Sequence, residues 1–144
     1  MATTATLTLA SADIAGDPVS GTKTATLTKA GSTNDLDQSS GLNRVHLRST
    51  TNKVLLAANA EGDNLAAKVY IINKATDASL YVTVTINAQT IGKLYAGDFM
   101  FIPWSQTDTS ASIEVAATNW TSSTGDIPVE YALFHEDTDF LTNA

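Results

Sequence analysis

Residues 68–104 read KVYIINKATDASLYVTVTINAQTIGKLYAGDFMFIPW and contain the densest run of apolar and β-branched side chains in the chain. Within residues 80–87, LYVTVTIN, apolar residues at the even positions alternate with Tyr, Thr and Asn at the odd positions. A period of two places one set of side chains in a core and the other at a surface, whereas helical faces repeat at about 3.6 residues. This segment therefore predicts a β-strand with one buried face.

The preceding segment, residues 68–74, is apolar on both faces. Val69 and Ile71 lie on one side of an extended chain, and Tyr70 and Ile72 lie on the other. Strands that are buried on both faces have this pattern, so we expect a central strand here.

The connections in this stretch carry turn residues. ATDAS at 75–79 offers Asp77 and Ser79 for local hydrogen bonds, and its length predicts a hairpin within a meander of strands. Residues 96–98, AGD, turn the chain into a last apolar strand. Pro103 has no N–H for a ladder, so that strand is expected to end there or to lie at a sheet edge.

Composition narrows the class of protein. The 144 residues predict a single domain, and the absence of cysteine removes disulfides and thiolate sites. A net charge of -7 opposes binding to nucleic acid phosphates. Neither a secretory signal nor a membrane anchor is recognisable, so we expect a soluble protein without nucleic acid or membrane partners.

The spacing of strand-like segments predicts the fold. We count roughly nine or ten short strands separated by turn residues, and no convincing helix. This indicates an all-β chain, a single-domain antiparallel β-sandwich with a jelly-roll-like arrangement and an N-terminal arm. The sandwich domain is expected to occupy residues 23–144.

The beginning of the chain differs from the rest. The heptads TATLTLA at 4–10 and TATLTKA at 24–30 are nearly identical, with Thr on one face and Ala or Leu on the other. Glycine and proline between them predict a loop at 12–21. We expect residues 1–22 to form an N-terminal arm or a peripheral strand and loop. Residues 136–144, EDTDFLTNA, are expected to be disordered or to contact a neighbour.

Three basic residues form a stripe that is a candidate interface. Arg44, His46 and Arg48 share one face of a predicted strand, in a chain with only eight Lys and Arg residues. The stripe suits an acidic partner such as another subunit. Alternatively, it belongs to a solvated edge strand that uses charge to prevent edge-to-edge pairing.

Aromatic residues supply the other interface candidates. Trp104, Trp120 and Tyr81, with neighbouring tyrosines, could form a stacking platform for sugars. The alternative is packing in a core or an interface, since indole and phenol rings bury a large area. We favour packing as the role of Trp104. For Trp120 the sequence does not decide between two roles, an exposed contact residue and a lid over the core.

Groups for catalysis or metal binding are sparse. His46 and His135 are the two histidines, and neither lies near a glycine-flanked serine. Asp98 and Glu114 are a conceivable glycosidase pair, although any acidic β-protein offers such pairs. The oxygen-rich residues of 34–39 lack the Gly and Glu of a calcium loop. We expect no catalytic site, cofactor or metal.

The central stretch, followed by SIEVAA and VEYALFHE, resembles small virion structural proteins of tailed phages, especially those of marine and cyanobacterial hosts. Their recurring phrase combines N-K, a loop, YVTV, a turn, IG, L, AGDF and PW. It falls here on Asn73, Lys74, Tyr81 to Val84, Ile91, Gly92, Leu94, Ala96 to Phe99, Pro103 and Trp104. The resemblance covers roughly the second half of the chain and includes no catalytic motif.

The resemblance implies a β-sandwich on the virus particle. On that basis we expect a capsid decoration (cement) protein at the virion surface, with the major capsid protein and further copies of itself as partners. A homotrimer whose residues 1–22 contact the shell or a neighbouring protomer is the specific hypothesis. The alternative is a receptor- or glycan-binding β-module of a tail or fibre.

Overall fold

The computed structural model describes residues 2–12, 19–28, 32–57, 66–105 and 112–136. Eleven strands and no helix are found among them, which confirms the all-β prediction. In chain order the strands are β1 Thr4–Ser11, β2 Val19–Thr26, β3 Gln38–Ser39, β4 Asn43–Leu47, β5 Lys53–Leu56, β6 Ala66–Asn73, β7 Tyr81–Ile86, β8 Gln89–Tyr95, β9 Phe99–Ser105, β10 Ile113–Ala116 and β11 Ile127–His135.

The strands from β4 to β11 pair in a nested order. β7 pairs with β8, β6 with β9, β5 with β10 and β4 with β11, always antiparallel. Such nesting results when one long hairpin is rolled up, which is the jelly-roll connection. A four-stranded sheet has the order β5-β10-β7-β8, and a five-stranded sheet has β3-β11-β6-β9 with β4 also against β11. The predicted antiparallel, jelly-roll-like β-sandwich is confirmed.

The core lies between the two sheets and takes alternate residues from each. Val69 and Ile71 of β6 and Val82 and Val84 of β7 are all fully buried within one apolar cluster. Removing each such side chain from water contributes about 1.5–3 kcal/mol. The alternation in residues 80–87 therefore places Leu80, Val82 and Val84 inward, as predicted, whereas Thr85 is buried and Ile86 only partly buried beyond the register shift after Val84. β6 is also central, since β9 and β11 flank it.

The predicted hairpin between β6 and β7 is wrong, because these strands belong to opposite sheets. Asn73, fully buried at the end of β6, fixes the crossing. Its Nδ2 donates to the carbonyls of Leu80 at 3.2 Å and Leu94 at 3.0 Å, and its Oδ1 accepts from Ala75 N at 2.9 Å. A buried amide needs such partners, and the two carbonyls belong to Leu94 of β8 and to Leu80, which directly precedes β7.

The hairpin that does form in this stretch joins β7 to β8. Ile86 pairs with Gln89, so the turn consists of Asn87 and Ala88. Both have positive φ, 51° and 58°. Two-residue hairpin turns with positive φ at both positions match the twist of the flanking strands. Asparagine adopts this conformation readily, whereas the Cβ of Ala88 is crowded there.

The first Thr-rich heptad pairs with residues 20–26 in a separate two-stranded sheet, so only the first three residues of the second heptad take part. Thr4, Thr6 and Thr8 of β1 lie opposite Thr26, Thr24 and Thr22 of β2. At the base of this hairpin, Leu27 and Leu36 are buried, and their backbone groups bond to each other and to Thr3. The expected division after residue 22 falls within β2, and the arm assigned to 1–22 stays a prediction. Residues 13–18 of the predicted loop lie outside the described part.

Candidate interaction surfaces

The basic stripe is matched by carboxylates of the same chain. β4 lies at a sheet edge beside β11, where Arg44 binds the carboxylate of Glu130. Arg48 forms two hydrogen bonds with Asp126, at 2.8 and 2.7 Å. The hydrogen bond from Arg48 lowers the pKa of Asp126, and the same bond raises the pKa of Arg48. Two of the three basic residues thus have an acidic partner within the fold.

His46 extends the same group, with Nδ1 3.9 Å from Asp126 Oδ2. His135 lies on the opposite side of the five-stranded sheet, where its side chain is buried and Nδ1 is 2.9 Å from the Glu136 carbonyl oxygen. The two histidines therefore face different environments. The sequence could not separate them, because each lies on a strand among ordinary charged residues.

The two tryptophans have different surroundings. Trp104 is 4% exposed and lies within the apolar core, which supports packing as its role. Trp120 is partly buried and packs against the same core. Its Nε1 is buried and finds no acceptor among the residues that the structure describes. This arrangement corresponds to a core lid rather than to an exposed platform.

Tyr81 does lie at a surface, on the outward side of the four-stranded sheet. Its ring centroid is 5.0 Å from that of Tyr95, which is 42% exposed. Lys93 Nζ lies 4.4 Å from the centre of the Tyr81 ring, within the range of a cation–π contact. These three residues form one end of the outward surface of this sheet.

The rest of that outward surface is hydroxyl-rich, and we term it the hydroxyl face. It forms a shallow depression of about 590 Å³. Glu114 is its carboxylate, and Asn52 Nδ2 donates to Glu114 Oε2 at 2.8 Å. Thr83 and Thr118 form a hydroxyl–hydroxyl bond of 2.6 Å. The lining residues are Thr50, Asn52, Thr83, Thr85, Ala88, Thr90, Ser112, Glu114, Ala116 and Thr118.

Asp98 and Glu114 do not form a carboxylate pair across a cleft. Asp98 accepts a hydrogen bond from Tyr95 N at 3.0 Å, next to the Tyr81 end of β7. Glu114 pairs with Thr85 of β7. Thr85 is four residues from Tyr81, so it lies about 13 Å from the Tyr81 end of β7 at the usual rise per residue. Glycosidase carboxylates are about 5–9.5 Å apart. Among the described residues, no three His, Asp or Glu side chains are grouped as a metal site.

Sequence reasoning missed the outward surface of the five-stranded sheet, which is aromatic. Tyr70 and Phe99 have ring centroids 6.1 Å apart, and Phe101 and Phe134 have centroids 6.3 Å apart. Phe99 is 56% exposed and Phe101 is 38% exposed. We term these four residues the aromatic face. Its signal in the sequence was the period-two spacing of Phe99 and Phe101.

A groove separates the aromatic face from the β1–β2 hairpin. Its volume is about 640 Å³. Leu7 of the hairpin lines one wall, and it remains 49% exposed. Lys23 and Lys68 also line the groove, whereas no Asp or Glu lines it within the described parts of the chain. The groove is thus apolar with two cationic groups.

Comparison with known proteins gives no further information. No protein-family model matches the sequence, and no match was found among curated proteins or solved structures. Within the described residues, no helix has the length and apolar character needed to cross a membrane.

Proposed function

We propose that this chain is a structural protein of a virus particle, a decoration (cement) protein that binds the capsid surface as a homo-oligomer. The observation that carries the proposal is the aromatic face, with Phe99 and Phe101 substantially exposed on the outside of the sandwich. Contiguous exposed apolar surface usually marks an interaction site. A protein whose role is to adhere needs such a surface and does not need catalytic residues.

The rest of the molecule suits this role. The jelly roll is an architecture that viral capsid proteins and lectins share, so the fold alone does not specify the function. Only 16% of the residues are charged, and the central stretch resembles tailed-phage virion proteins. Many weak contacts on a regular lattice reach high avidity when the binding unit is oligomeric. In its specific form, the proposal is a homotrimer whose residues 1–22 contact the shell or a neighbouring protomer.

The test is capture by shells of the encoding virus that were assembled without this chain. We expect co-sedimentation of the natural protein, and a loss of at least tenfold in capture for Phe99→Ser combined with Phe101→Ser. Ile91→Ser is the matched control, because Ile91 is 52% exposed but lies on the other sheet. Equal capture of all three proteins would refute attachment through the aromatic face. Absence of capture for the natural protein would refute the decoration role.

A glycan- or receptor-binding module is the second candidate, and the hydroxyl face favours it. Sugar hydroxyls bond to Thr, Asn and carboxylate groups, and the Tyr81–Tyr95 pair offers aromatic surface beside them. Glycan-array binding that is lost with Tyr81→Ala and retained with Trp120→Phe would favour this function. Silence of the natural protein across a broad array would count against it.

A further inference from the structure

The edge strands of the fold differ in how they are protected against pairing with another chain. An edge strand carries unpaired N–H and C=O groups, and proteins usually block it with charge, proline, a bulge or a short strand. Within the described residues, every edge strand except β1 has one of these devices. β3 is only two residues long. In the other edge strands the blocking residues are Lys23 of β2, Arg44 of β4, Lys53 of β5, Lys93 of β8 and Pro103 of β9.

β1 has none of these devices. Its eight residues, TATLTLAS, include no charged residue, proline or glycine. Its register against β2 runs without a shift from Thr4 opposite Thr26 to Ser11 opposite Val19, so no bulge twists the edge. The residues from Thr6 to Ser11 are all exposed, and β2 is the one strand that pairs with β1 in the described part of the chain. One side of the β1 backbone is therefore open to another strand.

The side chains of β1 suit pairing with a second copy of the same strand. Threonine occupies one face at positions 4, 6 and 8, while Leu7 and Leu9 lie on the other face and are 49% and 50% exposed. Opposite residues of an antiparallel pair point to the same face. Two β1 strands related by a twofold axis can thus align threonine with threonine and extend the leucines into one apolar strip. A register shifted by one residue would set threonine against leucine.

Charge favours β1 over β2 as the paired edge. Lys23 of β2 is the only charged residue of the two strands. Pairing through β2 would bring the Lys23 ammonium groups of two copies to the contact, where like charges are destabilising. Pairing through β1 keeps the β2 strands outside, about 14 Å apart at the usual spacing between strands.

We infer that β1 pairs antiparallel with β1 of a second copy about a twofold axis, so that two hairpins form one four-stranded sheet. The inference rests on the homo-oligomer of the proposed function and specifies how residues 1–22 contact a neighbouring protomer. The pairing needs no group of the aromatic face. A two-stranded hairpin alone has little stability in water, and the added strands stabilise it. A twofold contact forms a dimer, and it joins two trimers where the trimer uses another surface.

Sedimentation equilibrium of the full-length protein, without capsids, tests the pairing. We expect the natural chain to self-associate. Leu7→Glu should weaken association at least tenfold, because it removes leucine from the strip and brings two carboxylates together at the contact. The new carboxylate lies opposite Lys23 in its own hairpin, so the hairpin should persist. Thr22→Glu adds the same charge at an exposed position of β2, and as the control it should leave the mass unchanged.

A charge exchange identifies the partner strand. Leu7→Lys combined with Lys23→Glu reverses both charges of the hairpin, and this protein should associate as weakly as the Leu7→Glu protein. A mixture of the two proteins should associate, since opposite charges then meet at the contact. Recovery on mixing separates loss of pairing from loss of the hairpin, because an unfolded hairpin would not regain a partner.

Four results would overturn the inference: a monomeric natural chain, an oligomer that Leu7→Glu leaves intact, an equal effect of Thr22→Glu, or a mixture that stays dissociated. A monomeric natural chain whose capture by shells is lost with Leu7→Glu would assign the β1 edge to a shell protein instead. Capsid capture is a separate assay. Self-association without capture would remove the decoration role and leave this contact in place.

Discussion

The outward surfaces of the two sheets differ in chemistry, although both cover the same core. The aromatic face of the five-stranded sheet exposes Phe99 and Phe101, while the hydroxyl face of the four-stranded sheet is lined mainly by Thr with one carboxylate, and the exposed apolar residues of that sheet, Val54 and Ile91, are aliphatic. The inward residues of both sheets are apolar and pack in one core. The requirements of the core therefore do not explain why the outward surfaces differ. Since an exposed phenylalanine adds little to folding, its presence on one sheet points to a contact outside the chain.

The largest expected effect concerns the residue that links the two sheets. Asn73→Leu should lower the free energy of unfolding by about 3 kcal/mol, because three backbone groups lose a buried partner. Urea denaturation measures this change. Gln89→Ala, at an exposed site beside the β7–β8 turn, is the control and should change the value by less than about 0.5 kcal/mol. Equal values for both variants would show that Asn73 does not hold the sheets together.

The second effect concerns the turn at one end of the hydroxyl face. Ala88→Gly should raise the free energy of unfolding by about 1 kcal/mol, because glycine adopts a φ of 58° without a Cβ clash. Thermal denaturation measures the gain. Thr90→Gly, at a strand position that does not have a positive φ, should instead destabilise the protein. Destabilisation by Ala88→Gly would mean that the turn differs from the one described.

The third prediction tests the contrast between the faces directly. Phe99→Ser and Ile91→Ser should each change the free energy of unfolding by no more than about 0.5 kcal/mol, since both side chains are half exposed. Binding of a dye specific for apolar surface should fall only for Phe99→Ser. A similar fall for both variants would remove the distinction between the two surfaces.

The smallest effect concerns the ion pair between Arg48 and Asp126. The Arg48 hydrogen bond lowers the pKa of Asp126 below its ordinary value of 3.8. The ionised Asp126 carboxylate therefore contributes its full stabilisation above pH 3.8. This stabilisation is lost as the pH falls through the lower pKa that Asp126 has in the folded state. Asp126→Asn should slightly reduce stability at neutral pH and flatten the acid side of a stability–pH curve. An unchanged curve would contradict a folded-state role for the pair.

Much of the strand content could be predicted, but the partner of each strand could not. The period of two in residues 80–87 depends only on near neighbours and placed Val82 and Val84 correctly inward. Assignment of β6 and β7 to different sheets depends on Asn73, whose partners include Leu94, far along the chain. ATDAS is chemically suited to a hairpin and to a crossing alike, so the hairpin prediction failed.

The candidate surfaces were harder to predict for the same reason. Arg48 is matched by Asp126, which is distant in sequence, so its partner emerges only when β4 pairs with β11. Tyr70, Phe101 and Phe134 meet only because β6 lies between β9 and β11. Spacing within one strand indicated that Phe99 and Phe101 share a side. It could not indicate that the side faces outward.

The nested pairing of strands also sets the order in which the domain can form. β7 and β8 are adjacent in the chain and can close a hairpin early, whereas β4 must wait for β11. β11 contacts β3, β4 and β6, so the five-stranded sheet remains incomplete on the ribosome until residue 135 has been synthesised and released from the exit tunnel. Contacts of such long sequence separation slow folding. During translation the edge of β6 that pairs with β11 therefore stays open until β11 emerges.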